Sequence, residues 1–406
     1  MSSGITFDVI VVGGGIAGST LAGVLARSGL GVLVLEKEAR FRDRIRGEGT
    51  WPYGVADAFH LGLGDPLAQA GAVELPAFQR YENRHLTDVY WWAPDSSDGA
   101  PKLGFSHPHL QEAAFTWAAE QGAVVQRPAK ATGFSHQGTP VVTVVQDGHG
   151  AEYTARLIVG ADGKQSMVRR WVGAEMVADP EHHRFGGVLV SGVRTDDRHA
   201  DNAVSTPAVA ANWFAVNADQ TRLYLRMTAE RLRHTGADRS FVALVTVAAA
   251  LMPEGALEMV HQDGPIGFFP NSDIWASKIA GNRVVLIGDA AGAPDPSQGH
   301  GTALLFHDVR ALSELLLTER NWDAAIDAFA ERRHRDFAVI REFDRWRAII
   351  EAQEGVAADH LRASHSRAKK QDPTLAGFAF LKARGPAGLV ADEAARRSYF
   401  GGASSW

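Results

Sequence analysis

Residues 7–26, FDVIVVGGGIAGSTLAGVLA, form the segment that most restricts what this chain can fold into. The stretch is long and apolar enough to imitate a membrane-spanning helix, and Asp8 is its only charged residue. A spanning helix would carry three consecutive glycines in its interior, each costing about 1 kcal/mol relative to alanine, and it would lack basic flanks. Residues 9–12 instead predict a short strand, the glycines predict a turn, and residues 19–27 have helical spacing of Leu and Ala.

The glycine turn and the strand after it match the fingerprint of a dinucleotide site. Gly13 permits a tight turn, Gly15 lets backbone N–H groups approach a pyrophosphate, and Gly18 lets the helix pack closely on the strand. The second strand, GVLVLE, ends at Glu36, whose carboxylate can accept hydrogen bonds from a ribose. A turn used only for packing does not explain Glu36, so the sequence predicts dinucleotide binding.

Composition excludes several classes of function. The 406 residues are 45% hydrophobic and 22% charged, which predicts a globular protein of two closely joined domains. A net charge of −6 gives no reason to expect binding to nucleic acid or to an anionic membrane surface. The chain has 0 cysteines, so disulfides and thiolate chemistry are excluded, and redox chemistry requires a bound cofactor. Metal-ligand spacing of the HExxH type is also absent, and with no signal segment we expect a cytoplasmic protein without metal.

Two further strands also run into acidic turns. Residues 156–163, RLIVGADG, end in Gly160, Asp162 and Gly163, and the strand before residue 288 ends in Gly288 and Asp289. Together with the fingerprint, these motifs resemble the FAD-dependent monooxygenases of the para-hydroxybenzoate hydroxylase type, the group A flavoprotein hydroxylases. The resemblance covers residues 6 to about 345.

The resemblance implies an α/β fold with a Rossmann-like FAD-binding domain of the glutathione-reductase type. It further implies an interleaved β-sheet substrate domain and C-terminal helices. The expected FAD-binding domain comprises residues 1–80, 100–178 and 275–345, and the expected substrate domain comprises residues 81–99 and 179–274. Residues 346–406 are expected to form a helical cap.

The same resemblance assigns expected FAD contacts to the glycine turn, to the ends of the strands and to the residues that follow them. In it Asp289 binds the ribityl chain, Asp162 belongs to a motif for FAD and nicotinamide, and Arg46 lies near the pyrophosphate or ribityl. The expected contacts are Gly13, Gly15, Ile16, Ala17, Gly18, Glu36, Lys37, Arg46, His107, Gln111, Asp162, Gly163, Gly288, Asp289, Pro296, Gly299, His300 and Gly301.

This chain departs from the family pattern at two places. Where the family usually begins a helix with Arg-x-x-Leu, this chain has His-Pro-His-Leu at residues 107–110. The flavin contact that the arginine makes in the family is therefore expected from His107 or Gln111. After Asp289, Gly292 replaces a family histidine and His300 replaces a glutamine, with a solvent-facing role for His300 as the alternative.

The loop that ends in Gly299, His300 and Gly301 is predicted to open a helix at about residue 302. In the family fold that the resemblance implies, free N–H groups at that helix end would face the pyrimidine edge of the flavin. For Asp289 the alternative to a ribityl contact is an N-cap of a short turn at residues 290 and 291.

The segments between the motifs predict the substrate domain. Residues 184–193, 212–217 and 222–229 read as strands, residues 230–251 as helical, and residues 321–353 as a surface helix or helix pair. Residues 366–373 predict a loop, and residues 380–389 predict a terminal cap. Aromatic and nearby residues suited to a ring-shaped substrate are Trp91, Trp92, Trp213, Tyr224, Arg226, Phe268, Phe269 and Pro270, of which we expect about a third to contact it.

The family resemblance implies hydroxylation or epoxidation of a small to medium aromatic or unsaturated substrate. In that chemistry NADH or NADPH reduces FAD, and O2 adds to give a flavin 4a-hydroperoxide. Three alternatives stay open: a two-component enzyme fed by a separate flavin reductase, a halogenase, and a non-catalytic flavoprotein. A halogenase should carry Trp-x-Trp-x-x-Pro and a lysine after the first Gly-Glu stretch, but the first lysine after Glu48 is Lys102. The sequence identifies neither the substrate, the catalytic side chains nor the oligomeric state.

Overall fold

The computed structural model describes residues 6–195, 199–371 and 377–402. Its strands, in chain order, are β1 (Thr6–Val12), β2 (Val32–Leu35), β3 (Gly49–Thr50), β4 (Val73–Leu75), β5 (Ala77–Glu82), β6 (His85–Trp91), β7 (Lys102–Gly104), β8 (Val124–Gln126), β9 (Lys130–Gln137), β10 (Thr139–Gln146), β11 (His149–Gly160), β12 (Met176–Ala178), β13 (His183–Ser191), β14 (Ala200–Ser205), β15 (Val209–Ala215), β16 (Gln220–Met227), β17 (His261–Gln262), β18 (Gly267–Asn271), β19 (Ile274–Ala276), β20 (Ala280–Gly281), β21 (Val284–Leu286) and β22 (Gly292–Ala293).

The α-helices in the same part of the chain are α1 (Ile16–Arg27), α2 (Pro52–His60), α3 (Gly64–Gln69), α4 (His107–Glu120), α5 (Val168–Trp171), α6 (Ala229–Thr235), α7 (Phe241–Ala249), α8 (Gly301–Thr318), α9 (Trp322–Ala352), α10 (Val356–Gln371), α11 (Gly377–Arg384) and α12 (Glu393–Tyr399). None of these helices combines the length and the apolar character that a membrane crossing requires.

The first large sheet carries the dinucleotide fingerprint. Its order is β20-β21-β11-β1-β2-β8, and β21, β11, β1, β2 and β8 run parallel. The strands β2 and β21 and residues 9–12 of β1 are buried, as expected for parallel strands covered on both faces. In the ladder Val12 pairs with both Leu35 and Gly160, and Gly160 pairs with Leu286. The turns after these strands therefore meet at one edge of the sheet, where ligands of such folds bind.

The second large sheet has the order β17-β13-β16-β15-β14-β5-β6, with β18 also paired to β13. Its residues alternate between two faces, so Leu223 and Leu225 of β16 pack into an apolar cluster with α6 and α7 while Tyr224 and Arg226 point the other way. The strand β5 belongs to this sheet because it pairs with β14. The expected domain boundary at residue 80 therefore falls inside a strand of the second sheet.

Three segments differ from the helix and loop predictions. Residues 230–251 form two helices, α6 and α7, because Gly236 adopts a φ of 67° and ends α6. The segment 321–353 forms one continuous helix, α9, capped by the Asn321 side chain. Residues 366–371, expected in a loop, belong to α10, whose buried Leu361 and Ala368 give it an apolar face, and residues 372 and 373 lie outside the described residues.

The C-terminal helices pack onto the end of the FAD-type domain. Leu304 of α8 contacts a cluster that includes Ile340 and Trp346 of α9, Leu381 of α11 and Phe400. Residues 380–384 of the expected terminal cap lie in α11, and this packing brings the last part of the chain beside the start of α8.

Candidate functional site

A single cavity of about 450 Å³ runs from the glycine turn to the inner face of the second sheet. One end is lined by the turns after β1, β2, β11 and β21, and the other by β14, β15, β16 and the C-terminal helices. Fifteen of the expected FAD contacts line it: Gly13, Gly15, Ile16, Ala17, Glu36, Lys37, Arg46, His107, Gln111, Asp162, Gly163, Asp289, Pro296, Gly299 and Gly301. Gly18, Gly288 and His300 do not line it, for reasons given below.

The glycines of the fingerprint have different physical roles. Gly13 has a φ of 107°, and a Cβ there would lie 2.4 Å from the Ala161 carbonyl oxygen. A Cβ on Gly18 would lie 1.9 Å from the Gly13 carbonyl oxygen, so Gly18 serves the packing of α1 on the turn and does not face the cavity. Gly15 is different, because a Cβ there would meet only the Gln111 amide nitrogen, at 3.5 Å. Gly15 therefore presents bare backbone to the cavity.

Glu36 is fixed at the cavity wall by the backbone. It is 6% exposed, and its carboxylate accepts N–H groups from Gly14 at 2.8 Å and Glu38 at 2.7 Å. Each carboxylate oxygen has more than one acceptor position, so capacity remains for the hydroxyl groups of a sugar.

Asp162 has one oxygen engaged and one available. Its Oδ2 accepts the backbone N–H of Met167 at 2.7 Å, which orders the turn before α5. Its Oδ1 is buried and accepts no hydrogen bond from the residues that the structure describes. A buried acceptor without a donor is costly, so Asp162 fits a ligand that brings a donor into the cavity.

His107 is held by the loop that carries Arg46. Its Nδ1 lies 2.8 Å from the Gly47 carbonyl oxygen, and because a carbonyl only accepts, Nδ1 carries the proton. Burial lowers the pKa of His107, so the ring is neutral and does not replace the charge of the arginine expected in the family pattern. Positive charge at this part of the cavity comes instead from Arg46 and Lys164, although burial lowers the pKa of Lys164.

The loop after β21 contributes Asp289 to the cavity wall. The Asp289 carboxylate is half-buried and accepts no hydrogen bond within the described residues. The N-cap alternative for Asp289 is therefore not what the structure shows, since the short turn Gly288–Ala290 has no side-chain cap. Gly288 faces away, because its N–H donates to Asp308 on α8 at 3.0 Å.

The helix α8 begins at the cavity, one residue before the predicted start. Gly301 and Thr302 line the cavity, and the N-cap residue His300 makes no side-chain cap bond to the helix. The His300 side chain is fully buried on the other side of the loop, with Nδ1 3.4 Å from the Tyr53 hydroxyl and Nε2 3.6 Å from Asp344. This position corrects both expectations for His300: its side chain does not face the cavity, and it does not face solvent.

The second sheet lines the other end of the cavity with alternate residues. Tyr224 and Arg226, both expected at the substrate, line it together with Asn212 and Phe214 of β15. Trp213 does not line the cavity, because it points to the opposite face, where its ring centroid lies 5.3 Å from that of Tyr81.

The remaining aromatic candidates lie outside the cavity lining. Trp92 is buried behind Trp51, with ring centroids 5.4 Å apart, and Trp91 is exposed at the surface. Phe268, Phe269 and Pro270 of β18 also fall outside the lining, because β18 pairs at the flank of β13, whose Phe185 lines the cavity instead.

Several lining residues were not singled out from the sequence. Glu48 accepts a short hydrogen bond from the Tyr224 hydroxyl and is paired with Arg222 at 3.0 Å. Others come from β5, β7, β14, the C-terminal helices and the N-cap of α2: Trp51, Phe78, Lys102, Asp201, Arg347, Glu351 and Lys382.

The chain matches the family model for the FAD binding domain over residues 6–341. It belongs to the FAD binding domain family. The match confirms the predicted α/β fold class and the predicted resemblance to the flavoprotein hydroxylases at the level of family and fold.

Curated relatives of this FAD binding domain protein have different named activities. It is 25% identical over 325 residues to squalene monooxygenase of Mus musculus, covering 76% of this chain and 54% of that protein. It is 27% identical over 354 residues to digeranylgeranylglycerophospholipid reductase 2 of Methanococcoides burtonii, covering 85% of this chain and 80% of that protein. The chain thus spans only a little over half the length of the mouse relative.

Solved structures show the same fold over almost the whole chain. The p-nitrophenol 4-monooxygenase of Pseudomonas putida DLL-E4 has a TM-score of 0.79 and 20% identity, covering 94% of this chain and 99% of that one. A flavin-dependent brominase has a TM-score of 0.76 and 18% identity, and the match covers 95% of this chain and 96% of that one.

Proposed function

We propose that this protein is an FAD-dependent monooxygenase that hydroxylates or epoxidises a small to medium aromatic or unsaturated substrate. The observation that carries the proposal is one continuous cavity. It joins the edge of the first sheet that carries the glycine turn to the face of the second sheet that carries Phe185, Phe214 and Tyr224. A cofactor extended along one end would bring its reactive ring to the mouth of an enclosed pocket at the other. The named activities of squalene monooxygenase and p-nitrophenol 4-monooxygenase support this class.

In this proposal FAD lies along the cavity with its adenosine at Glu36 and its pyrophosphate at Gly15. The unpartnered Asp162 oxygen, the Asp289 carboxylate and the bare backbone at Gly15 all fit a polyhydroxylated diphosphate ligand. When bound, FAD supplies hydride acceptance from NADH or NADPH and the activation of O2.

The chain contributes positioning, electrostatics and exclusion of water. The N-terminus of α8 directs uncapped N–H groups of its first turn at the cavity, and such an end stabilises nearby negative charge by about 0.3–2 kcal/mol. Phe185, Phe214 and Tyr224 provide apolar walls that would exclude water around a ring-shaped substrate.

Two of the matched proteins, a reductase and a brominase, name competing functions, and a two-component enzyme is a third. A reductase would transfer electrons to its substrate without consuming O2, and a two-component enzyme would need a separate supply of reduced flavin. A halogenase would incorporate halide, and Lys102, the first lysine after Glu48, does line the cavity, where it is paired with Asp201.

The purified FAD-loaded protein is expected to oxidise NADH or NADPH with matching consumption of O2. The assay uses phenol, benzoate, 2-naphthoate and squalene as trial substrates, measures O2 with an electrode, and analyses products by mass spectrometry. At least one substrate should stimulate the reaction and gain 16 mass units, or 18 when the gas is 18O2, as expected for transfer of one oxygen atom.

The other outcomes separate the alternatives. Oxygenation only after addition of a flavin reductase would indicate the two-component form, and halide in the product when bromide is present would indicate a halogenase. Nucleotide oxidation without O2 uptake, or no turnover with any reductant, would contradict the monooxygenase proposal.

A further inference from the structure

The end of the cavity at Trp51 is rich in buried cations. Lys102, Arg226, Arg347 and Lys382 all line it, and the two carboxylates among them are Asp201 and Glu351. The family match ends at residue 341, and three of these lining residues come after it: Arg347, Glu351 and Lys382. The C-terminal helices therefore add charged side chains that lie outside the matched family domain.

Lys102 and Lys382 both approach the ring of Trp51. Lys102 is 5% exposed, its Nζ lies 2.7 Å from Asp201 Oδ2, and the same nitrogen is 4.3 Å from the Trp51 ring centroid. Lys382 comes from α11, is 6% exposed, and places its Nζ 3.7 Å from the same centroid. Trp51 also touches the loop before α8, because its Nε1 donates to the Gln298 carbonyl at 3.1 Å. The two lysine Nζ atoms therefore lie close to where the reactive ring of the cofactor is proposed to lie.

Arg226 and Arg347 share one acid. Glu351 lies 2.6 Å from Nη2 of Arg347 and 3.6 Å from Nη1 of Arg226. Burial opposes ionisation of Glu351, but the charges of Arg347 and Arg226, with those of Arg80 and Lys382, outweigh it and lower its pKa to about 2. Arg226 is 4% exposed, and its Nε donates no hydrogen bond within the described part of the chain.

Basic side chains outnumber carboxylates in the lining at this end. Four of them, Lys102, Arg226, Arg347 and Lys382, lie there with two carboxylates, while Glu48, the next acid along the wall, is already paired with Arg222. Burial and the nearby Arg347 lower the pKa of Lys382 well below its usual value, which favours the neutral amine until an anion binds beside it. An anion bound between these side chains would favour their protonated forms and would stabilise their buried positive charge.

We infer that the substrate carries a carboxylate, which binds between Lys102, Lys382 and Arg226 with its ring or alkene directed toward the flavin. The inference rests on the proposed function for the meaning of "substrate", but the anion site itself is read from the charges and geometry of the pocket. The stacked Trp51 and the nearby Phe214 provide apolar surface for the part of the molecule that carries the anion.

Matched pairs of ligands test this inference in the FAD-loaded protein. The probes are benzoate, 2-naphthoate and indole-3-acetate, each compared with its neutral amide, and binding is followed by calorimetry and by perturbation of the flavin spectrum. At least one carboxylate is expected to bind at least about 10-fold more tightly than its amide, the size of a single charge-assisted contact.

Three variants locate the preference. K382M and the double variant K102M/D201N, which removes a buried pair without stranding the acid, should each reduce the ratio of carboxylate to amide affinity to below about 3-fold. K370M removes a lysine from the exposed side of α10 and should leave the ratio unchanged. Thermal melting and FAD content confirm that each variant is folded and loaded.

The inference is overturned if no carboxylate is preferred, or if the preference persists in both cavity variants. A lowered midpoint potential of FAD in K382M with an unchanged ratio would assign the cations to the reduced flavin and would also overturn it. Because binding requires neither O2 nor a nicotinamide, a protein that prefers carboxylates but takes up no O2 would contradict the proposed function alone.

Discussion

Replacement of Gly15 by valine is expected to give a folded protein that purifies without flavin. Gly15 has a φ of −68° and a ψ of −176°, which valine adopts readily, and its Cβ would make only an ordinary contact of 3.5 Å with Gln111. The rest of the side chain would occupy the space in front of the turn, where the pyrophosphate is proposed to lie. Absorbance near 450 nm, measured against protein concentration, should fall to near zero while the melting temperature changes by only a few degrees.

Gly150→Val is the matched control for that substitution. Gly150 is an exposed residue of β11, and a Cβ there meets no atom within 4 Å, so this variant should retain a full complement of FAD. A Gly15→Val protein that is folded and fully yellow would show that the pyrophosphate lies elsewhere.

Replacement of Asp289 by alanine is expected to weaken FAD binding roughly 10- to 150-fold, which corresponds to the loss of one charge-assisted hydrogen bond. The carboxylate lines the cavity and accepts no hydrogen bond from the described residues, so the apo fold should lose little by its removal. Stability is checked by chemical denaturation of the apoprotein, and affinity by fluorescence titration with FAD.

Asp219→Ala removes a charge from an exposed turn far from the cavity lining and serves as the control. If Asp289→Ala bound FAD as tightly as the parent protein, the ribityl role proposed for Asp289 would be wrong.

Much of the dinucleotide end could be predicted from the sequence because its chemistry is local. The glycine turn, Glu36, Asp162 and Asp289 each follow directly from a buried strand, and parallel strands bring their ends to one edge of a sheet. The His300 side chain was not predictable in this way, since its glycine neighbours indicate a loop but not which side of that loop the ring occupies. The packing of Tyr53 and Asp344 decided that position.

At the substrate end, whether a residue lines the cavity depends on which face of its strand the side chain occupies. Trp213 and Phe214 are adjacent and equally suited to a ring-shaped ligand, yet only Phe214 faces the cavity. The pairing of β15 with β16 fixes this choice, so the partner register was needed in addition to the pattern. Lys382 was beyond prediction for a different reason: α11 reaches Trp51 only through tertiary packing over more than 300 residues of chain.

The most direct test of the account is a crystal structure of the protein purified with its flavin. We predict one FAD in the cavity, with its ribose at Glu36, its pyrophosphate in front of Gly15 and its isoalloxazine ring between the Gly299–Gly301 loop and the face formed by Phe214 and Tyr224. An FAD bound outside this cavity, or one whose isoalloxazine ring is separated from the face formed by Phe214 and Tyr224, would contradict it.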